Sequence, residues 1–199
     1  MNSIESFFLN LGFSWTISKI IPYTCCIILG VIFVFLLKKW KTKKKYISFS
    51  VKAIIFLLPF SIYFAFSPIY QGDFSNKGAT TTSKIVFPKA KALTVVALPN
   101  CPYCYQSLRL MMKLKKRNPH IPITYWVASS DTLPEKTAIL RVIPKEFSAL
   151  QKHNTEEISF LVQGTFPCFV ISSDSKAVKV WNNNQFGVRA LDEIEAFFK

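Results

Sequence analysis

Acidic residues and histidine are the scarce ingredients of this chain. Its 199 residues hold 11 Asp plus Glu against 25 Lys plus Arg, and only two histidines. His120 and His153 stand apart in the sequence, and no second Cys-x-x-Cys accompanies the one at Cys101–Cys104. A tetrahedral zinc site therefore lacks ligands, and both histidines read as surface residues. Basic residues are missing from the first 18 positions, where Glu5 is the single charge. No small-residue cleavage site follows a short apolar core there either, so this stretch does not read as a cleavable signal peptide.

Apolar residues, by contrast, are abundant. They make up 50% of the chain, with 19 Phe, and the mean hydropathy is positive. The excess is concentrated near the N-terminus. Ile20 to Leu37 is 18 residues without a charge, and Ile47 to Ile69 is 23 residues with Lys52 alone. Each is long enough to cross a hydrocarbon core of about 30 Å, and the prolines at 22, 59 and 68 are tolerated in membrane helices. Lys52 lies near the end of its segment and can snorkel. Between the two runs, Lys38 to Lys45 carries six lysines. Flanked by two spans, it reads as the cytoplasmic loop of the positive-inside rule, which places both chain ends outside. Ahead of the first span, Ile4, Phe7, Phe8, Leu11 and Trp15 fall at helical spacing, opposed by Asn2, Glu5, Ser6 and Ser14. The lead-in 3–18 is then an amphipathic helix on the outer surface with Trp15 at the interface, or an extension of the first span.

The net charge of +14 divides evenly: residues 1–70 hold eight Lys and one Glu, and residues 71–199 hold 17 basic and ten acidic residues. Half the basicity is thus membrane topology. The rest is spread without a cluster, which argues against a nucleic-acid site. Residues 71–83, polar and Gly-containing, read as a flexible linker, leaving 84–199 as a separate domain.

That domain centres on Cys101-Pro102-Tyr103-Cys104. Ala92 to Leu98 is an apolar, β-branched run bounded by Pro99 and Asn100, hence a buried strand. Leu108, Leu110, Met111, Met112 and Leu114 alternate with Arg109, Lys113, Lys115, Lys116 and Arg117 before Asn118-Pro119, hence a helix. Two cysteines three apart between a strand and a helix form a redox pair more readily than half of a metal site. Cys101 falls at the helix start, beside unpaired N–H groups and the positive end of the helix dipole, which favour the attacking thiolate. Cys104, one turn further in, is the shielded partner that resolves a mixed disulfide. Pro102 suits the first helical turn. Later, Gly164 to Ile171 places Pro167 at the mouth of another strand.

The C-P-Y-C motif between strand and helix, with this later proline-led strand, resembles the thioredoxin superfamily, and the Pro-Tyr dipeptide is most like glutaredoxins and some exported disulfide oxidoreductases. The resemblance spans residues 84 to 199. It implies a thioredoxin-like α/β fold, with a mixed four-stranded sheet and helices on both faces, preceded here by two transmembrane helices. It also implies a cis Phe166–Pro167 bond facing the cysteines, with the Phe166 backbone pairing with a substrate peptide. Catalysis falls to Cys101 and Cys104, and substrate binding to Phe166, Pro167, Pro102 and Tyr103. The chain departs from the family in lacking a carboxylate in its first central strand, so the Cys104 proton needs water or another group. It also carries Cys168 after the proline, where thioredoxins usually have Thr.

The remaining segments read as follows. Ile85-Val86-Phe87 is a short edge strand, and Ile121 to Ala128 a second central strand in a parallel strand–helix–strand unit. Between Asp131 and Gln163, a helix starts at Leu133-Pro134-Glu135 and ends at Pro144, followed by short helical pieces at Glu146 to His153 and Glu156 to Val162. Phe169 to Ser172 and Ala177 to Trp181 form a hairpin, and Gly187 precedes a last helix at Leu191 to Phe198.

Two functions follow. The first is a membrane-anchored thiol–disulfide oxidoreductase with its domain outside the cell (inner) membrane, in the periplasmic or extracytoplasmic space. It exchanges disulfides with exported proteins and is served by a membrane or soluble redox partner. It needs no cofactor and no metal, because the dithiol is the redox group. The second is an extracytoplasmic copper(I)-binding module using Cys101, Cys104 and Cys168, which the lack of Met/His clusters counts against. Cys168 is otherwise a small buried hydrophobe, as are Cys25 and Cys26 in the first span.

Overall fold

The computed structural model describes residues 2–37, 45–75, 78–79, 85–128, 138–152 and 155–199. The chain divides into two compact units, Met1–Tyr70 and Gln71–Lys199. The lysine run at 38–44 lies outside the described residues, as does the expected helix start at 133–135.

In unit one, α1 (Ser3–Asn10) is closed by an Asn2–Glu5 capping box, and α2 (Trp15–Leu36) is capped by Ser14. Gly12, at φ +95°, turns the chain between them. The lead-in is therefore not one helix over 3–18: its last turn belongs to the first long helix, where Trp15 is fully buried. α2 and α3 (Lys45–Phe66) run antiparallel, with Tyr23 against Phe60 and Tyr63, and Gly30 against Phe56. A Cβ on Gly30 would overlap the Phe56 carbonyl, so the small residue permits the close approach of the two helices. Both are long and apolar enough to cross a membrane, with mean hydropathy 2.3 over 18 residues within Trp15–Leu36 and 1.9 over Phe49–Phe66.

α1 turns its polar side inward. Glu5 is wholly enclosed, accepting from Ser67 Oγ at 2.7 Å, while Asn2 Nδ2 donates to the Tyr63 hydroxyl at 2.9 Å. The Tyr23 hydroxyl donates to the Ser67 carbonyl. Ile4, Phe7 and Leu11 are left exposed. Tyr63 of α3 and Ser67 just beyond it supply the partners that a helix lying alone on a surface would take from water.

Unit two is built on a five-stranded sheet of order β3-β2-β1-β4-β5. The strands are β1 (Ala92–Ala97), β2 (Ile123–Ala128), β3 (Ser148–Lys152), β4 (Cys168–Ser173) and β5 (Lys176–Asn182). β1, β2 and β3 are mutually parallel, and β4 and β5 antiparallel. The helices are α4 (Pro102–Arg117), α5 (Ala138–Val142), α6 (Thr155–Val162) and α7 (Val188–Phe198). α4 and α7 cover one face, joined where Glu195 meets Arg117 at 3.0 Å and Asn118 at 2.8 Å. α6 covers the other with Ile158, Leu161 and Val162, over a core that includes Val96, Trp126, Cys168 and Val170. The hairpin between β4 and β5 turns on Asp174 and Ser175, both at positive φ, as a two-residue connection requires.

Three expectations are corrected. The sheet has five strands rather than four, because the piece read as helical at 146–153 pairs in parallel with β2 as β3. Ile85-Val86-Phe87 is not a strand. Phe87 instead buries its ring against Trp126, and its N–H donates to the Ser175 carbonyl at 3.2 Å. The described part of 71–83 is not a free tether. Arg189 N–H donates to the Asp73 carbonyl at 3.1 Å, Ala79 bridges Val180, and Gly187 lies so close to Gly72 and Asp73 that a Cβ would collide with them.

Candidate active site

The site grows from the end of β1. The turn Pro99-Asn100 is braced by the Tyr105 hydroxyl, which donates to the Pro99 carbonyl at 3.2 Å. Cys101 follows as N-cap of α4 with extended backbone, φ −89° and ψ 113°, and Pro102 takes the first helical position. In place of the usual oxygen cap, the Cys101 sulfur accepts the Cys104 N–H at 3.2 Å. Cys101 is half-buried, while Pro102 and Tyr103 are exposed.

Cys104 begins the buried stripe of α4, followed by Ser107, Leu108, Met111 and Leu114 at helical spacing. It is fully enclosed. Burial, and then the neighbouring Cys101, push its thiol far above the ordinary range, so it remains protonated at neutral pH. No disulfide joins any of the five cysteines in this structure.

Two buried hydroxyls that the sequence did not single out follow from the Cys104 carbonyl. Ser107 Oγ donates to the Cys104 carbonyl at 2.7 Å and lies 3.5 Å from the Tyr125 hydroxyl. Tyr125, on β2 opposite Val95, has no exposed surface and stacks on Phe147 at 5.8 Å. Burial pushes its phenol well above the usual range, the Ser107 hydrogen bond eases this, and the charge of Cys104 adds to it. A sequence signal existed only as a polar tip inside an apolar strand, which reads equally well as packing.

At the same end of the sheet is the turn after α6. Gln163 and Gly164 take positive φ, Thr165 N–H donates to the Val162 carbonyl at 3.0 Å, and the Phe166–Pro167 bond is cis. Cys168 lies opposite Val96, one residue from the end of β1, so Pro167 and the Cys101 turn share one end of the sheet. Pro167 is buried and Phe166 half-buried.

The structure does not bring Cys168 into this group. Its side chain belongs to the α6 face with Val96, Trp126 and Val170, whereas Cys104 points from α4 onto the opposite face. Burial holds the Cys168 thiol up at about 12. Among the described residues no three Cys, His, Asp or Glu side chains converge as metal ligands. The copper(I) reading, which needed Cys101, Cys104 and Cys168 together, is overturned. Cys25 and Cys26 lie in α2, in the other unit, and His120 is exposed.

The parallel β1–α4–β2 unit carrying Cys-x-x-Cys at its helix start, with the antiparallel β4 entered through a cis proline, decides the architecture. The domain has a thioredoxin-like fold. No family model and no curated protein sequence matches the chain. Solved structures do. One is a secreted disulfide oxidoreductase of Mycobacterium tuberculosis homologous to Escherichia coli DsbE, at 15% identity over 55% of this chain and 82% of that one, TM-score 0.42. Another is the exposed lipoprotein thioredoxin Etrx1 of Streptococcus pneumoniae, at 13% over 54% and 85%, TM-score 0.42. A third is StoA of Bacillus subtilis, at 13% over 59% and 96%, TM-score 0.41.

Proposed function

We propose that this protein is a membrane-anchored thiol–disulfide oxidoreductase acting on exported proteins. One observation carries the reading: an accessible sulfur, Cys101, caps a helix and accepts the N–H of a second, enclosed cysteine one turn deeper. Cys101 is the nucleophile. As thiolate it attacks one sulfur of a substrate disulfide, a new S–S bond forms, and the displaced substrate sulfur leaves with the bonding pair and takes up a proton. Cys104 then attacks the Cys101 sulfur, expels the second substrate sulfur as a thiol and closes the Cys101–Cys104 disulfide. The substrate gains two electrons, and the protein loses two. Run in reverse, the same steps oxidise a substrate dithiol, and a membrane or soluble redox partner resets the pair.

Exposed Pro102 and Tyr103 border the approach to Cys101, and the Phe166 backbone beside Pro167 pairs with the substrate chain. α2 and α3 are the membrane spans, with the lysine-rich connection on the cytoplasmic side and unit two in the extracytoplasmic space. Two features support this topology: the two apolar helices pack antiparallel, and five lysines stand between their sequences, with a sixth, Lys45, at the start of α3.

The test is trapping. In the full chain expressed in membranes, Cys104→Ser leaves the first mixed disulfide unresolved, so it accumulates reductant-sensitive adducts with exported proteins, while Cys101→Ser does not. Adducts that formed in Cys101→Ser and required Cys104 would reverse the roles.

A further inference from the structure

We propose that the groove between the cytoplasmic halves of α2 and α3 binds one anionic phospholipid, its phosphate on the Lys52 ammonium and an acyl chain along the apolar walls. The inference rests on the membrane-anchored reading and its topology, and goes beyond the redox site. Sequence spacing builds the groove. Val31, Val34 and Phe35 recur at i, i+3 and i+4 along α2, and Phe49, Lys52 and Phe56 at i, i+3 and i+7 along α3, so each set forms one helical stripe. Together they line a cavity of about 440 Å³, within the range of about 300–1,000 Å³ usual for small-ligand sites. Gly30 lies against Phe56 at its deep end, and the lining runs from there toward the lysine-rich connection. Val31, Phe35 and Phe49 keep exposed surface, so the groove opens toward lipid, and Lys52 is half-buried in its wall.

Lys52 is the one charged residue of this lining, and its unit offers it no counter-ion. No Asp or Glu stands between Glu5 and Asp73 in the sequence, and Asp73 belongs to the other unit. Glu5 is engaged by Ser67 Oγ and the Asn2 N–H, and Ser67 lies just past the far end of α3, about 20 Å along the helix axis from Lys52. Among the described residues, no side chain pairs with Lys52. A cation in the hydrocarbon is costly unless it meets water or an anion. Lys52 lies about 10 Å along the axis from Lys45 at the start of α3, inside one hydrocarbon leaflet of about 15 Å. A lipid phosphate dipping from that leaflet's surface supplies the missing anion, while the Phe and Val walls take the chain. The five lysines of 38–44 and Lys45 concentrate anionic lipid at the same surface. With no carboxylate nearby to receive a choline or ethanolamine cation, the charge balance selects an anionic headgroup over a zwitterionic one.

The experiment titrates the full chain, purified in detergent, with dioleoylphosphatidylglycerol and separately with dioleoylphosphatidylcholine, and native mass spectrometry reads the bound lipid. The parent should bind the anionic lipid more tightly. Lys52→Gln should weaken that binding about fivefold, the worth of one basic residue at an anionic surface, and leave phosphatidylcholine unchanged. Lys52→Arg should retain the preference. Ala53→Phe, which fills the groove and leaves every charge in place, should also weaken phosphatidylglycerol binding. Equal affinity of the parent for the two lipids overturns the site. So does a loss in Lys41→Gln as large as that in Lys52→Gln, which would make the preference a diffuse attraction to the lysine run. Displacement of the lipid by inorganic phosphate would reduce the site to a bare anion contact and overturn it too. If Lys52→Gln does not fold, unchanged phosphatidylglycerol binding in Ala53→Phe overturns the assignment instead. Membrane integration is read separately by alkaline carbonate extraction. A chain that carbonate strips from membranes sinks the membrane-anchored reading and this site with it, whereas an integrated chain without lipid preference sinks the site alone.

Discussion

Cys168 has a neighbourhood quite unlike that of the Cys101–Cys104 pair, although it follows Pro167 directly. Its thiol sits among Val96, Trp126 and Val170 with no exposed surface, and burial raises its pKa from 9.0 to about 12. The sign follows from linkage. The folded state holds the proton to higher pH than the unfolded chain does, so the stabilisation is complete below pH 9 and is lost as pH rises towards 12. A tenfold difference in proton affinity between the two states is worth about 1.4 kcal/mol. Thermal unfolding of the reduced protein should therefore show a midpoint that falls steadily from pH 9 upward, and Cys168→Ala should flatten that fall. An equal fall in Cys168→Ala would place the alkaline sensitivity elsewhere. Cys104 is raised in the same direction and contributes to the slope that remains.

At the scale of elements, the site is held by close approaches as much as by hydrogen bonds. Gly187 caps α7 with backbone so near Gly72 and Asp73 that no side chain fits. Gly187→Ala should push the 72–79 segment from the domain, costing about 1–3 kcal/mol as overpacking does. The readouts are a lower thermal midpoint and new protease cleavage within 72–79. Unchanged values for both would show that the segment does not need this contact. The β1–turn–α4 element was legible in sequence because each level agrees: β-branched strand, Pro99-Asn100 turn, Pro102 in the first helical turn, and a stripe from Cys104 to Leu114. β3 was not legible. Ser-Ala-Leu-Gln-Lys has no β-branched residue, and its strand character comes from pairing with β2. The same holds for Glu5, whose partners Ser67 and Tyr63 are some 60 positions away. Ser107 and Tyr125 are likewise joined only by the packing of α4 on β2.

The whole molecule couples a hairpin of two apolar helices to a thioredoxin-like domain, and its charge follows that division. Five lysines lie in the connection between the helices and a sixth opens α3, and the domain's basic residues are dispersed. An alkaline phosphatase fused after Lys199 should accordingly be active, and a reporter that matures only in the cytoplasm should be silent at the same point. The reverse pattern would place the domain inside. The central claim is that Cys101 and Cys104 form a reversible two-electron couple, and its most direct test is equilibration of the full chain in glutathione buffers of stepped ratio. After acid quenching and alkylation, mass spectrometry reads the state of the Cys101–Cys104 peptide. The account predicts a single two-electron transition between dithiol and an intramolecular Cys101–Cys104 disulfide, abolished by Cys101→Ser and by Cys104→Ser and retained in Cys168→Ala. A pair that stayed reduced, or formed only separate glutathione adducts at every ratio, would contradict it.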